Sequence, residues 1–223
     1  MKLRMMTTIF LCGCLWASCA HAQTSVGDER GQRGGFTTLI LGPVLGQTID
    51  QEARNLGSSL GIFNMVRFGE EAIPNLTLGL AIGGFSFKGN NGLHEGGIGG
   101  FLMDFSWRPA PNTMENLVIY AATGLGGGQV KDSRSDTVLG APAGAMYIAG
   151  LGYEFLIAGG ERSKKDQTVS QTRSWVLTPA VRAILVPASG MSESMYHAFI
   201  VSVDVTTYSG LDISVRKSRS TSE

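Results

Sequence analysis

The feature that most constrains this chain is an alternation of large apolar residues with small or polar ones, repeated in segments of about ten residues. Between Asn75 and Lys88, Leu76, Leu78, Leu80 and Ile82 hold one parity, and Thr77, Gly79, Ala81 and Gly83 hold the other. Between Ala143 and Ile157, Tyr147, Ala149, Leu151, Tyr153 and Phe155 alternate with Met146, Ile148, Gly150, Gly152 and Glu154. Between Met195 and Tyr208, Phe199, Val201, Val203 and Val205 alternate with Ala198, Ile200, Ser202, Asp204 and Thr206. Successive side chains on a strand point to opposite faces, so a period of two means β-strands lying between two different surroundings.

Eight such segments follow one another: Phe36 to Gly46, Ser59 to Gly69, Asn75 to Lys88, Gly97 to Arg108, Glu115 to Val130, Ala143 to Ile157, Ser174 to Val186, and Met195 to Tyr208. The stretches between them, such as "KGNNGLHE", "RPAPNTMEN" and "VPASGMSES", carry the Gly, Pro, Asn and Ser of turns. Alternation alone fits a soluble ligand-binding barrel or a sandwich as well as a membrane barrel. The less apolar face decides between them. In water that face would be rich in Lys, Glu and Gln, whereas here it holds Gly, Ala, Thr and single charges. After residue 22 the lysines are Lys88, Lys131, Lys164, Lys165 and Lys217, all at strand ends, in connections or in the tail. An apolar face in lipid and a second face in a cramped lumen account for this pattern. The 31 glycines suit the same interior, because eight strands enclose a space that side chains fill.

The chain begins with Lys2 and Arg4, an apolar run from Met5 to about Trp16, and "AHA" at Ala20 to Ala22, the layout of a signal peptide cleaved before Gln23. Cys12, Cys14 and Cys19 all fall inside it, so no disulfide or cysteine metal site is expected in the exported chain. Cys14 and Cys19 each end a weak lipidation box, which keeps a lipoprotein as the alternative. Downstream there is no apolar run of the roughly 18 to 20 residues that a spanning helix needs. The expected organisation is a signal peptide (1–22), a polar lead (23–35), a barrel (36–208) and a basic, Ser-rich tail (209–223).

Aromatics fall near strand ends, as amphipathic rings at two interfaces would. The inner band is expected to hold Phe36, Phe68, Phe105, Trp107, Tyr153, Phe155, Trp175 and Tyr208; the outer band, Phe85, Phe87, Tyr147 and Tyr196. With its leader, its thiol-free remainder and these eight strands, the chain resembles the small outer-membrane β-barrel proteins of Gram-negative bacteria over about Phe36 to Tyr208. The resemblance implies an all-β, single antiparallel transmembrane barrel in the cell outer membrane. Such barrels often finish on a terminal aromatic, whereas Tyr208 is followed by "SGLDISVRKSRSTSE". Either that stretch is a periplasmic extension, or Leu211, Ile213 and Val215 lengthen the last strand.

Asp104, Glu154 and Asp204 lie on segments expected to run inward and to reach similar depth, with Arg67 and Arg182 near them. Charges in a narrow lumen are costly unless paired, so a salt-bridged plug is expected. The alternative is a narrow channel in which the acidic excess serves cations. Catalysis has little to work with. The two histidines outside the leader, His94 and His197, stand in no recognised motif, although a lipid-modifying hydrolase would need a Ser, a His and a carboxylate together. "GLGGGQVKD" lacks the ending of a phosphate loop and "GGIGGF" the dinucleotide spacing, so no cofactor is expected, and no metal. With 18 basic and 18 acidic residues, a nucleic-acid partner is not implied. The expected partners are outer-membrane lipid and a periplasmic or envelope protein, docking on the Gly159 to Arg173 connection or on the tail.

Overall fold

The computed structural model describes residues 24–25, 34–49, 55–73, 75–109, 116–163, 169–188 and 194–213. The expected leader, its three cysteines, and Arg216, Lys217 and Arg219 of the tail lie outside these residues. Eight strands build the wall: β1 (Gly35–Ile49), β2 (Asn55–Ile73), β3 (Leu76–Gly89), β4 (His94–Trp107), β5 (Leu117–Asp132), β6 (Ala143–Tyr153), β7 (Val169–Val186) and β8 (Met195–Ile213). No helix occurs among the described residues. Each strand pairs antiparallel with the next, and β8 pairs with β1 from Met195↔Ile49 to Ser209↔Gly35, closing the sheet. Closure satisfies the backbone of every wall strand without leaving a sheet edge.

The register fixes the barrel's dimensions. A row of paired residues that leaves β3 at Gly79 passes Asp104, Ala122, Ile148, Ile184, Ala198, Gly46 and Ser59, and returns to β3 at Gly89, ten residues further on. With about 3.4 Å per residue and about 4.8 Å between strands, this stagger gives a strand tilt of about 41° and a backbone radius of about 8 Å. Such a radius leaves room for side chains only.

Parity decides where each side chain goes. Ile40, Val44, Phe63, Met65, Phe85, Phe87, Ile98, Leu102, Met146, Ile148, Ile184, Tyr196 and Ile200 are buried inside. The opposite parity puts Leu41, Ile62, Ile82, Phe101, Leu125, Leu151, Val181 and Phe199 on the outer face with their side chains exposed.

Three features at one end of the barrel bear on the sequence expectation. Gly159 to Arg173 is largely strand rather than connection: Phe155–Ser163 continues β6 beyond Glu154 and pairs with β7 from Leu177 to Ser170. Of the two readings of the stretch after Tyr208, the lengthened last strand is the one seen as far as Ile213, Gly210 to Ile213 pairing with Thr172 to Val169. Part of the polar lead is also paired, Thr24–Ser25 running parallel to Leu211 and Asp212. All three segments project past the end of β1 at Gly35, the near end of the barrel. Backbone pairing holds these segments together.

Candidate functional site

The lumen is divided into an ionic layer toward the near end and an apolar layer toward the far end. Within the ionic layer, Arg182 of β7 lies beside Asp204 of β8, one strand over. Its Nη1 donates to Asp204 Oδ1 at 3.0 Å, its Nη2 donates to Oδ2, and Nη1 also reaches Ser202 Oγ. Ser202 Oγ donates in turn to Asp204 Oδ1 at 3.2 Å. Arg67 of β2 crosses to β4, where Nη2 donates to Asp104 Oδ2 and to Ser106 Oγ. Tyr120 of β5 lies between the two arginines, with Arg67 Cζ 4.8 Å and Arg182 Cζ 4.6 Å from its ring centroid. Stacking a guanidinium on an aromatic face is favourable and stronger when desolvated.

A third unit involves Arg108, just beyond β4. Its Nε and Nη2 donate to the two carboxylate oxygens of Glu154 at 3.1 and 2.8 Å. Its Nη2 also donates to Tyr208 Oη at 2.7 Å, and Tyr208 Oη donates to Glu154 Oε1 at 2.7 Å. This two-pronged geometry is the strong form of a charge-assisted pair. Three buried arginines therefore meet three buried carboxylates among the described residues.

The apolar layer is filled by aromatic and sulfur-containing side chains. Tyr196 stacks on Phe85 with centroids 4.7 Å apart and lies against Phe87 at 4.9 Å. Its ring lies over Gly46, where a Cβ would stand 2.2 Å from the hydroxyl, and its Oη is 3.4 Å from Ser59 Oγ. Met146 Sδ lies 2.8 Å from where a Cβ of Gly100 or of Gly126 would be. Glycine on this face is thus the room into which neighbouring side chains pack.

All five charges singled out from the sequence, Arg67, Asp104, Glu154, Arg182 and Asp204, point into this lumen and are buried. Their pairing was not legible. Glu154 takes Arg108 rather than Arg182, and the acidic excess that suggested a cation path disappears with it. Arg108 had looked like the start of a turn, yet it continues the inward parity of Leu102, Asp104 and Ser106, a signal that was present. Trp107, Tyr153, Phe155 and Trp175 stand on the outer face and Phe105 is partly exposed. Tyr208 does not join them. It is 7% exposed against 50% for Trp107, because it shares the inward parity of Asp204 and Thr206. Phe36, Phe85, Phe87 and Tyr196 likewise turn inward.

His94 is buried on the inner face at the far rim, whereas His197 has the outward parity of Phe199. The two imidazoles lie on opposite sides of the wall and share no site.

No family model matches this chain, and no curated protein matches it. Solved structures that it is similar to include Ail, the attachment invasion locus protein of Yersinia pestis, at 11% identity, covering 78% of this chain and 99% of that one, with a TM-score of 0.48. Neisserial surface protein A matches at 13% identity over 78% and 97% of the two chains, TM-score 0.47. The outer membrane protein OprG from Pseudomonas aeruginosa matches at 8% identity over 82% and 99%, TM-score 0.36.

Proposed function

We propose that this chain is a non-enzymatic β-barrel of the outer membrane, exported through a cleaved leader, which serves as a structural or interaction component of the cell envelope. The membrane reading rests on the outer face. Leu41, Leu45, Ile62, Phe101, Met103, Leu125, Leu151, Val181, Phe199 and Val201 are all exposed around the ring. A continuous apolar girdle of this kind is unsuited to water and suited to lipid.

The observation that carries the functional reading is the double filling of the lumen. Each buried carboxylate is bound by an arginine, and above that layer Phe63, Phe85, Phe87, Met146 and Tyr196 close the bore. Neither solute passage nor proton chemistry has an open place in such an interior, so function falls to the outer surface and the two ends.

The near end supports a protein partner. Among the described residues, Phe155–Ser163 pairs with β7 on one side and with no strand on the other. Strand addition at a sheet edge is a recurrent mode of peptide recognition, and the pairing of Phe155–Ser163 with β7 at the near end supports that mode of docking. Of the docking region expected at Gly159 to Arg173, residues 159–163 and 169–173 are strand, and the tail follows in sequence from the neighbouring β8.

Fractionation tests the membrane reading. The protein is expected in the outer-membrane fraction and to migrate differently on gels before and after boiling. Planar bilayers test the filled lumen, where no discrete conductance steps are expected. Recovery with soluble periplasmic contents, or stable ion currents, would overturn the corresponding half of the proposal.

A further inference from the structure

On the outer face of β3, β4 and β5 the register lines up side chains in rows. From the near end upward these rows are Leu76–Trp107–Ile119, Leu78–Phe105–Ala121, Leu80–Met103–Thr123 and Ile82–Phe101–Leu125. The apolar character then stops abruptly. The next row is Gly84–Gly99–Gly127, followed by Ser86–Gly97–Gln129 and by Lys88–Glu95–Lys131.

Depth gives these rows meaning. With Trp107 at the near interface and strands tilted about 41°, Gly99 lies about 20 Å and Glu95 about 31 Å along the membrane normal, against an apolar band about 25 Å tall. The glycine row is therefore still within the hydrocarbon, just below its far boundary, and the charged row is at the level of the lipid head groups. An apolar girdle should carry its largest side chains at that depth, and here it has none. Above the glycines the surface holds a depression of about 740 Å³ lined by Ser86, Glu95, Gly97, Gln129 and Lys131, within the roughly 300 to 1,000 Å³ of small-molecule sites.

Of these outward glycines only Gly84 is imposed by packing, since a Cβ there would stand 2.2 Å from the carbonyl oxygen of Ile98. A Cβ at Gly97, Gly99 or Gly127 would meet its nearest atoms at 3.5, 3.4 and 3.6 Å, ordinary contact distances. The inward glycines are different, Gly46 and Gly100 among them, where a Cβ would collide. The space outside is thus free for something other than this chain.

We propose that this groove holds one glycolipid of the outer leaflet whose sugar head carries two phosphate groups, an inference that rests on the membrane reading above. One acyl chain lies over the glycine row between Ile62 of β2, 63% exposed, and Leu125 of β5. Lys88 and Lys131 stand two strands apart, about 10 Å, a separation that matches two distinct phosphates rather than one. Glu95 between them and Gln129 one row below accept and donate hydrogen bonds to sugar hydroxyls. A phospholipid with a single phosphate would engage one of the two lysines and leave the other without an anion. Lys131 is now bound to Asp136 at 2.8 Å, but the Asp136 side chain is 82% exposed. An exposed pair of this kind is weak enough to exchange for a phosphate.

The test uses the whole exported chain, purified in non-ionic detergent, stripped of lipid, and titrated in native mass spectrometry with three probes: bisphosphorylated lipid A, monophosphorylated lipid A and phosphatidylglycerol. A single bound bisphosphorylated lipid is expected at a concentration at least fivefold lower than for the other two probes. Gly97→Leu with Gly127→Leu fills the groove and is expected to abolish that binding while the gel shift on boiling persists. Lys88→Gln with Lys131→Gln is expected to erase the preference between the two lipid A forms. Equal binding of all three probes to the native chain overturns the inference, as does undiminished binding to the filled variant. Should the filled variant fail to fold, the lysine variant decides, since a preference retained without both lysines also overturns it. Fractionation of the native chain stands apart from these readouts, so a failure here leaves the membrane reading intact.

Discussion

The Arg182–Asp204 pair offers the sharpest test of how this interior is held. Asp204 is fully buried, with its side chain at 0% exposure, and Arg182 is at 3%. Asp204→Asn keeps the shape and removes the charge. Arg182 then retains Ser202 and the face of Tyr120, but its positive charge has no adjacent counter-ion on β8. Breaking a buried pair from one side typically costs about 3 to 5 kcal/mol, because the remaining charge stays desolvated. Arg182→Met, which strands the carboxylate, is expected to cost a similar amount. The double variant Arg182→Met with Asp204→Leu removes both desolvation penalties and loses the hydrogen bond to Ser202 and the stacking on Tyr120, for a net cost of about 2 kcal/mol. The double-mutant cycle should therefore show a coupling of at least about 3 kcal/mol. Equilibrium urea unfolding in lipid vesicles, followed by tryptophan fluorescence, reads these differences, and the gel shift on boiling verifies each folded state. A cost below about 1 kcal/mol for Asp204→Asn, or a double variant as costly as the two singles together, would refute the reasoning.

Other expectations follow from the same layering. Asp104→Asn and Asp204→Asn together are expected to leave planar bilayers without current, because the apolar layer of Phe85, Phe87, Met146 and Tyr196 still closes the bore; stable conductance would show that the ionic layer alone is the seal. Gly46→Val drives a methyl into the Tyr196 ring, 2.2 Å from its hydroxyl at the first added carbon, and is expected to cost about 1 to 3 kcal/mol. The second-site change Tyr196→Ala should recover part of that loss, and no recovery would locate the strain elsewhere. In the exposed turn after β5, Asp132 accepts hydrogen bonds from the amides of Ser135 and Arg134, which hold its carboxyl below the usual range. The order those bonds give the turn is complete above the carboxyl's unfolded-chain value and is lost as pH falls through the lower folded one. The Ser135 and Arg134 amide signals should titrate together in that acidic window, and Asp132→Asn should remove the transition; unchanged amide shifts would contradict it.

Much of the fold was legible because it is a one-dimensional signal. Alternation along a strand assigns each residue to one of two faces without knowledge of any neighbour, so the outward Leu78, Phe101, Leu151 and Val201 and the inward Asp104, Glu154 and Asp204 follow from parity. Tyr208 and Arg108 show where that signal was present and outweighed. The aromatic ring was expected at an interface and the Arg-Pro sequence at a turn, although both continue an inward parity. The outer groove was hidden for another reason, since Gly84, Gly99 and Gly127 are scattered along the chain and become a row only through the register of three strands.

Local chemistry therefore determined that this chain makes an even set of strands between two unlike surroundings, with its charges on the confined side. Tertiary structure decided which charges meet. Pairing depends on the ten-residue stagger around the ring, a property of closure that no single strand contains. The same stagger put Arg67 and Arg182 on either side of Tyr120, gave Glu154 to Arg108, and separated an ionic layer from an apolar one. Past the wall the signal was uneven: Leu211 and Ile213 still alternate and the strand continues through them, whereas residues 159–163 and 169–173, rich in Gly, Ser and charge, are strand without it, because backbone pairing needs no apolar side chain.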